Sequence, residues 1–360
     1  MTEQLQAQSG GPRGPVTRWL AAMPKAELHL HIDGSLKPQR LLQLAHRHGV
    51  ALPWETQAEI LAAWNFTDLQ GFLDLYYLGA SVLRDAEDFY LLMRDYLEVC
   101  RQQHIVHCEI MVEPQTYLPQ GVALATVLAG FERAIAEAQA GWGQSVRLIL
   151  SFLRHLPEAE ALAMLEVARP FRERFCAIGL ASAERDFPPR GFARLYREAA
   201  AQGYALTAHA GEEGPAAYVR EALEALAVTR IDHGVRAIED ETLLELLRER
   251  QLPLTVCPLS NQRLQVTPQL RRHPILRLLE RGLCVTVNSD DPAYFGGYLL
   301  ENFAALEQQL GLDARQALAL VRNGFRAAFI DRDDKLRFLR RVAAYAEAHP
   351  PPLRSAGARS

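Results

Sequence analysis

The 360-residue chain contains no CxxC pair, no stretch of about eighteen uninterrupted apolar residues and no dense cluster of Lys and Arg. Each absence excludes something. The five cysteines, Cys100, Cys108, Cys176, Cys257 and Cys284, are scattered and odd in number. They imply no disulfide framework and suit reduced thiols in a cytoplasmic protein. Without a long apolar run there is no membrane-spanning helix to expect, and the opening MTEQLQAQSGGPRGP has no apolar signal core. The net charge of −4, with both signs interspersed, argues against a phosphate-backbone ligand. The expectation is therefore a cytoplasmic protein with a small-molecule partner, bound to neither nucleic acid nor membrane. The residues specify no oligomeric state.

What is present is a large potential core, with 49% hydrophobic residues. Eight short β-branched or apolar runs read as buried strands: 27–32, 105–112, 146–152, 177–181, 205–209, 230–235, 254–257 and 285–288. Segments of helical spacing lie between most of them, such as 192–202, 216–226 and 240–249. Strand and helix alternating eight times predicts an α/β fold of the TIM (β/α)8 barrel type. One domain is expected over 16–348, with 1–15 and 349–360, rich in Gly, Pro, Ser and Arg, fraying at the ends. The first connection, 34 to about 103, is far longer than a crossover needs. It carries several helical patterns, including 68–83, and is expected to form a helical insertion that covers the substrate.

Chemistry-bearing residues gather at the ends of these runs, where barrel enzymes build their sites. The first run ends in His29-Leu30-His31, and residues two apart on a strand share a face, so both imidazoles reach one metal. The fifth ends in His209-Ala210-Gly211-Glu212, the sixth in Asp232-His233-Gly234, and the eighth in Ser289-Asp290-Asp291-Pro292. Any one of these has an ordinary explanation, as a core histidine or an Asp-Pro turn. Their coincidence at so many strand ends does not. Three His and one Asp form a nitrogen and oxygen ligand set suited to zinc with a position left for water, and a second carboxylate and a free His remain for proton transfer.

With these residues placed, the sequence resembles the adenosine/adenine deaminase family from about Met23 to Ile330, through PKAELHLHIDGSLKP, LILSFLRHL, TAHAGEEGP, RIDHGVRAIED, LTVCPLSN and VTVNSDDPAYFGG. The resemblance implies a TIM barrel holding one Zn2+ on His29, His31, His209 and Asp290. It makes Glu212 the residue that protonates purine N1, His233 the group that orients and deprotonates the attacking water, and Asp291 a partner of N7. Glu212 must then carry a proton, which requires a closed, partly apolar site. The HxE and PCxxC zinc pattern of cytidine-type deaminases is missing. The fourth run, CAIGLASAE, has no lysine to bridge a second metal, so a single metal is expected.

The substrate is less sharply specified. Asp33, in HIDGSLKP, resembles the residue that bonds ribose in nucleoside deaminases and narrowly favours an adenosine-type nucleoside. The downstream segments look closer to bacterial adenine deaminases, as does Ser182 where adenosine deaminases carry Gly beside purine N3, and Met111 stands where those enzymes tend to have Arg. Adenine, 6-aminodeoxyfutalosine and a purine-binding barrel without turnover are the alternatives. The aromatics of 64–77 (WNFTDLQGFLDLYY) fit ordinary helix packing better than a ligand wall.

Overall fold

The computed structural model describes residues 13–352. Eight parallel strands follow one another around a barrel in chain order: β1 Lys25–Glu27, β2 Ile105–Val112, β3 Ser145–Leu153, β4 Phe175–Ala181, β5 Ala205–Ala210, β6 Arg230–His233, β7 Leu254–Val256 and β8 Val285–Val287. Their near-continuous burial explains why they read as apolar runs rather than alternating ones. The crossover helices Ala193–Ala201, Ala216–Ala225 and Glu241–Arg250 stand where the periodicity puts them.

The first strand is shorter than expected. Regular pairing stops at Glu27, and the chain then stays in register through single bridges, Leu30 to Asp290 and His31 to Met111. The bridge from Leu30 to Asp290 also closes the barrel. At the β8/β1 seam, His31 N donates to the Asp290 carbonyl (3.0 Å) and Asp290 N to the His29 carbonyl (3.1 Å). Leu28 N adds a bond to Asn288 Oδ1 (2.9 Å). The residues that close the sheet thus include His29, His31 and Asp290, three of the candidate metal ligands.

The segments expected to fray fall mostly on 1–12 and 353–360, outside the described residues. Inside them the ends are ordered by packing: helix α1 (Pro15–Leu20) presents Trp19, whose Nε1 donates to the His349 carbonyl (2.8 Å), while the Tyr345 hydroxyl donates to the Trp19 carbonyl (2.9 Å). Among the described residues no helix is long and apolar enough to cross a membrane.

The long first connection holds α2 (Pro38–His48), α3 (Gln57–Ala63), α4 (Leu69–Ala80) and α5 (Ala86–Gln102). Local signals start them: Pro38 opens α2, a Thr56/Glu59 capping box opens α3, and the Asp68 carboxylate accepts from Gly71 N (2.8 Å) to open α4. Phe72 and Tyr76 of α4 pack with Tyr294 and Phe295, which lie just past β8, at ring separations of 4.7–6.1 Å. That contact lays α4 over the C-terminal end of the barrel.

Candidate active site

The site begins with histidines whose protons are already committed. His29 Nδ1 lies 2.9 Å from Thr255 Oγ1 and 3.2 Å from the Thr255 carbonyl, and the Thr255 hydroxyl donates onward to Asp232 Oδ1 (2.9 Å). Only a protonated Nδ1 satisfies that arrangement, which leaves the His29 Nε2 lone pair facing inward. His31 is held the same way, its Nδ1 donating to Glu113 Oε1 (2.7 Å). The lone pairs then converge. Nε2 of His209 lies 3.1 Å from Nε2 of His29 and 3.2 Å from Nε2 of His31, and Asp290 Oδ1 lies 3.1 and 3.3 Å from the same two nitrogens.

Acceptors this close repel unless a cation lies among them. A tetrahedral zinc site with bonds of about 2.0–2.1 Å has ligand atoms roughly 3.3 Å apart, so the spacing fits a metal of that size. The set is buried, with every member under 9% exposed. His233 is adjacent: His29, His209, His233 and Asp290 offer donor atoms within 4.8 Å of one another, and His31, Asp290 and Asp291 form a second such group. His233 Nε2 turns instead toward Glu212 Oε2 (3.4 Å), with Asp290 Oδ2 at 3.8 Å.

The electrostatics separate these groups into proton carriers and ionised ones. Burial lowers the His233 imidazole to about 3 despite the opposing charge of Asp290, so it is neutral at ordinary pH. Burial raises the Glu212 carboxyl well above the usual carboxylate range, and the charges of Asp290 and Glu184 raise it further. Asp291 is raised well above its usual value, again first by burial. Burial also opposes ionisation of Asp290, but the surrounding imidazoles of His29 and His233 outweigh it and hold that carboxyl well down. These directions favour an ionised Asp290 among the histidines and retention of the proton on Glu212 and Asp291 beside it.

Backbone strain sets their direction. Ser182, His233 and Asp290 all adopt positive φ (77°, 62° and 64°), a conformation costly for non-glycine residues and found where a site fixes it. Gly34 serves by its missing side chain: a Cβ there would stand 2.0 Å from Asp291 Oδ1 and 2.5 Å from its Cα. Glu212 Oε1 and Asp291 Oδ1 are buried without a hydrogen-bond partner. Both residues line a cavity with about 430 Å³ of empty space, the part open to solvent included, together with His31, His209, Glu113, Leu153, Ser182, His233 and Asp290.

The geometry bears on two expectations. Asp33 is 1% exposed, does not line the cavity, and accepts a hydrogen bond from the Tyr117 hydroxyl. Its other carboxylate oxygen, Oδ2, is buried without a hydrogen-bond partner. The segment 64–77, read as ordinary packing, supplies Leu69, Phe72, Leu73, Tyr76 and Tyr77 to the cavity wall, so its aromatics pack and line at once.

The structure adds two positioning residues that the spacing does not single out. Glu184 accepts from four consecutive backbone N–H groups, of Gly211, Glu212, Glu213 and Gly214, at 2.7–3.0 Å, and so shapes the turn that presents Glu212. Arg154, fully buried, donates to the His209 carbonyl (2.7 Å) and to the Phe187 carbonyl (2.6 and 3.0 Å). A charged residue just past an apolar strand was the available signal for both. Replacing Glu184 with Ala strands four donors. The expected result is a loss of at least about 3 kcal/mol in denaturant unfolding, with turnover lowered in the folded fraction. Unchanged stability would show that the turn holds itself.

This geometry has counterparts among known proteins. A family model described as adenosine deaminase matches residues 24–345. The chain is 55% identical over 309 residues to adenine deaminase of Bordetella parapertussis, a match covering 86% of this chain and 98% of that one. The solved adenine deaminase of Arthrobacter aurescens superposes with a TM-score of 0.89 at 44% identity, covering 91% of this chain and 100% of that one. An amidohydrolase of Burkholderia ambifaria with bound zinc superposes with a TM-score of 0.85 at 28% identity, covering 94% and 96% respectively.

Proposed function

The chain belongs to the adenosine deaminase family and is a hydrolytic 6-aminopurine deaminase, and from that premise we propose that its substrate is the free base adenine and its metal a single zinc ion. The observation that carries the reading is the convergence of the His29, His31 and His209 lone pairs and Asp290 Oδ1 on one point at the floor of the cavity that Glu212 and Asp291 face. Those four residues would hold the metal, and the zinc-bound amidohydrolase relative supports its identity. The metal supplies Lewis acidity, which makes water nucleophilic at neutral pH.

The chain's own groups do the rest. Glu212, kept protonated by burial, donates to N1, so the ring accepts the electron pair when water attacks C6. His233 is neutral and takes a proton from the attacking water with Nε2, the nitrogen turned toward Glu212 and Asp290, and returns it to the 6-amino group as the C6–N6 bond breaks and ammonia leaves; the remaining hydroxyl proton goes back to Glu212 as the 6-oxo group forms. Asp291 offers a carboxyl proton to N7. The α4 residues Leu69, Phe72 and Leu73 keep bulk water away from these transfers.

The sequence narrowly favours a nucleoside, on Asp33 alone. The adenine alternative is the better supported, because Asp33 is turned to Tyr117 and the relative at 55% identity is an adenine deaminase. Ammonia release by the zinc-loaded protein tests this, with kcat/KM compared for adenine, adenosine and 6-aminodeoxyfutalosine. Adenine should lead by at least about two orders of magnitude. Equal or better rates with either larger compound would refute the free-base assignment, and no release from any would favour a binding protein.

Asp33 carries its own prediction. In Asp33→Asn, kcat/KM for adenine and for adenosine should fall by the same factor, since the carboxylate accepts from Tyr117 and does not line the cavity. A selective loss with adenosine would restore the ribose contact.

A further inference from the structure

Opposite the metal ligands, the cavity wall contains polar side chains that the deamination chemistry leaves unused. Ser182 Oγ lies 2.7 Å from His155 Nδ1 and 3.1 Å from the Tyr77 hydroxyl. The three come from separate places: Ser182 lies just past β4, His155 just past β3, and Tyr77 belongs to α4. The neighbouring Tyr76 hydroxyl donates to Glu113 Oε2 (3.3 Å), just beyond β2. Successive helical residues point about 100° apart, so these adjacent tyrosines grip two different strand ends and hold α4 across the mouth.

The proposed free-base deamination, on which this inference rests, sets the orientation of a bound purine. C6 faces the ligands of β1, β5 and β8, N1 faces Glu212 after β5, and N7 faces Asp291 after β8. Within the six-membered ring N3 lies across from C6, and N9 is bonded to C4 beside it. The N3/N9 edge therefore points to the remaining arc of the barrel, β2 to β4 and α4, where Tyr77 and Ser182 stand. A substituent on N9 has to pass between them.

We propose that the Tyr77–Ser182–His155 chain is a specificity latch: it ties α4 to the β3 and β4 ends over the N3/N9 edge of the purine, and thereby excludes 6-aminopurines substituted at N9. His155 sets the Ser182 hydroxyl from below, and the hydroxyl sets Tyr77. Ser182 keeps a side chain at φ 77°, where glycine would be easier, and that hydroxyl is the link on which the latch depends.

The test compares kcat/KM for adenine, 9-methyladenine and adenosine in the zinc-loaded wild type, Ser182→Gly, Tyr77→Phe and Tyr77→Ala. Ser182→Gly suits the local backbone and Tyr77→Phe keeps the ring, so neither depends on a large repacking. The 9-methyladenine to adenine ratio should rise at least about tenfold in Tyr77→Ala, and by a smaller but clear factor in the two variants that lose only a hydrogen bond. A general loss of stability would move both substrates together and leave the ratio unchanged. Ratios within twofold of wild type in all three variants would overturn the latch while leaving the adenine reading intact. A wild type that prefers adenosine would overturn the latch and the free-base assignment but not the reaction class; a wild type inactive on all three purines would overturn the reading itself, and the latch with it.

Discussion

Glu212→Gln should leave metal content and adenine affinity near wild type while kcat falls by roughly 10^2 to 10^4-fold, about 3–5 kcal/mol of barrier. The amide is nearly isosteric and still hydrogen-bonds N1, but it has no acidic proton to give. The burial that keeps the Glu212 carboxyl neutral explains the asymmetry between binding and turnover: the site is arranged around an uncharged group there, so an uncharged replacement disturbs little except the transfer. A wild-type kcat in this variant would remove Glu212 from the chemistry. Loss of metal along with activity would mean instead that Glu212 belongs to the ligand shell.

Asp290→Ala should lose turnover altogether, with metal content falling to a small fraction of one equivalent and the thermal midpoint dropping. Asp290 places a carboxylate oxygen against the inward-facing Nε2 atoms of His29 and His31, beside that of His209. Its backbone also closes the β8/β1 seam, and it stands at positive φ. The backbone bonds survive the substitution, so the barrel should still form, whereas the metal loses its charge partner. Binding to the folded state contributes stability by mass action, and that contribution disappears with the site. Asp290→Asn separates charge from shape: an amide oxygen in the same place should retain some metal at much lower affinity. Full zinc retention in Asp290→Ala would remove Asp290 from the ligand set, and with it every ligand group that depends on that carboxylate.

Much of this was legible because barrel chemistry concentrates at strand ends. His29, His31, His209, Glu212, His233, Asp290 and Asp291 all stand at or just past the end of an apolar run, and the structure brings all of them to one cavity or its floor. Adjacency in sequence was less informative than direction. Asp33 sits two residues from His31, yet the 3-10 turn 33–35 aims its carboxylate at Tyr117, and no spacing rule reveals that. Glu184 and Arg154 act on backbone carbonyls and N–H groups far along the chain, through contacts 27 to 55 residues apart, and such partners carry no local signature. The aromatics of α4 were ambiguous for a physical reason: the same helix face that buries Phe72 against Phe295 also roofs the cavity.

The boundaries of the first strand show the same limit. An apolar run to Ile32 reads as regular strand, but past Glu27 the chain is held by two isolated bridges, Leu30 to Asp290 at the seam and His31 to Met111 on the β2 side, because β1 has to splay where His29 and His31 turn inward. Pairing geometry there depends on Asn288 and Asp290, some 260 residues away.

If one metal, held by His29, His31, His209 and Asp290, makes this chain an adenine deaminase, then titrating zinc into metal-stripped protein while measuring ammonia release from adenine is the most direct test. Activity should start near zero, rise linearly and level off at one equivalent per chain. Full activity without metal, or a plateau only at two equivalents, would contradict the account.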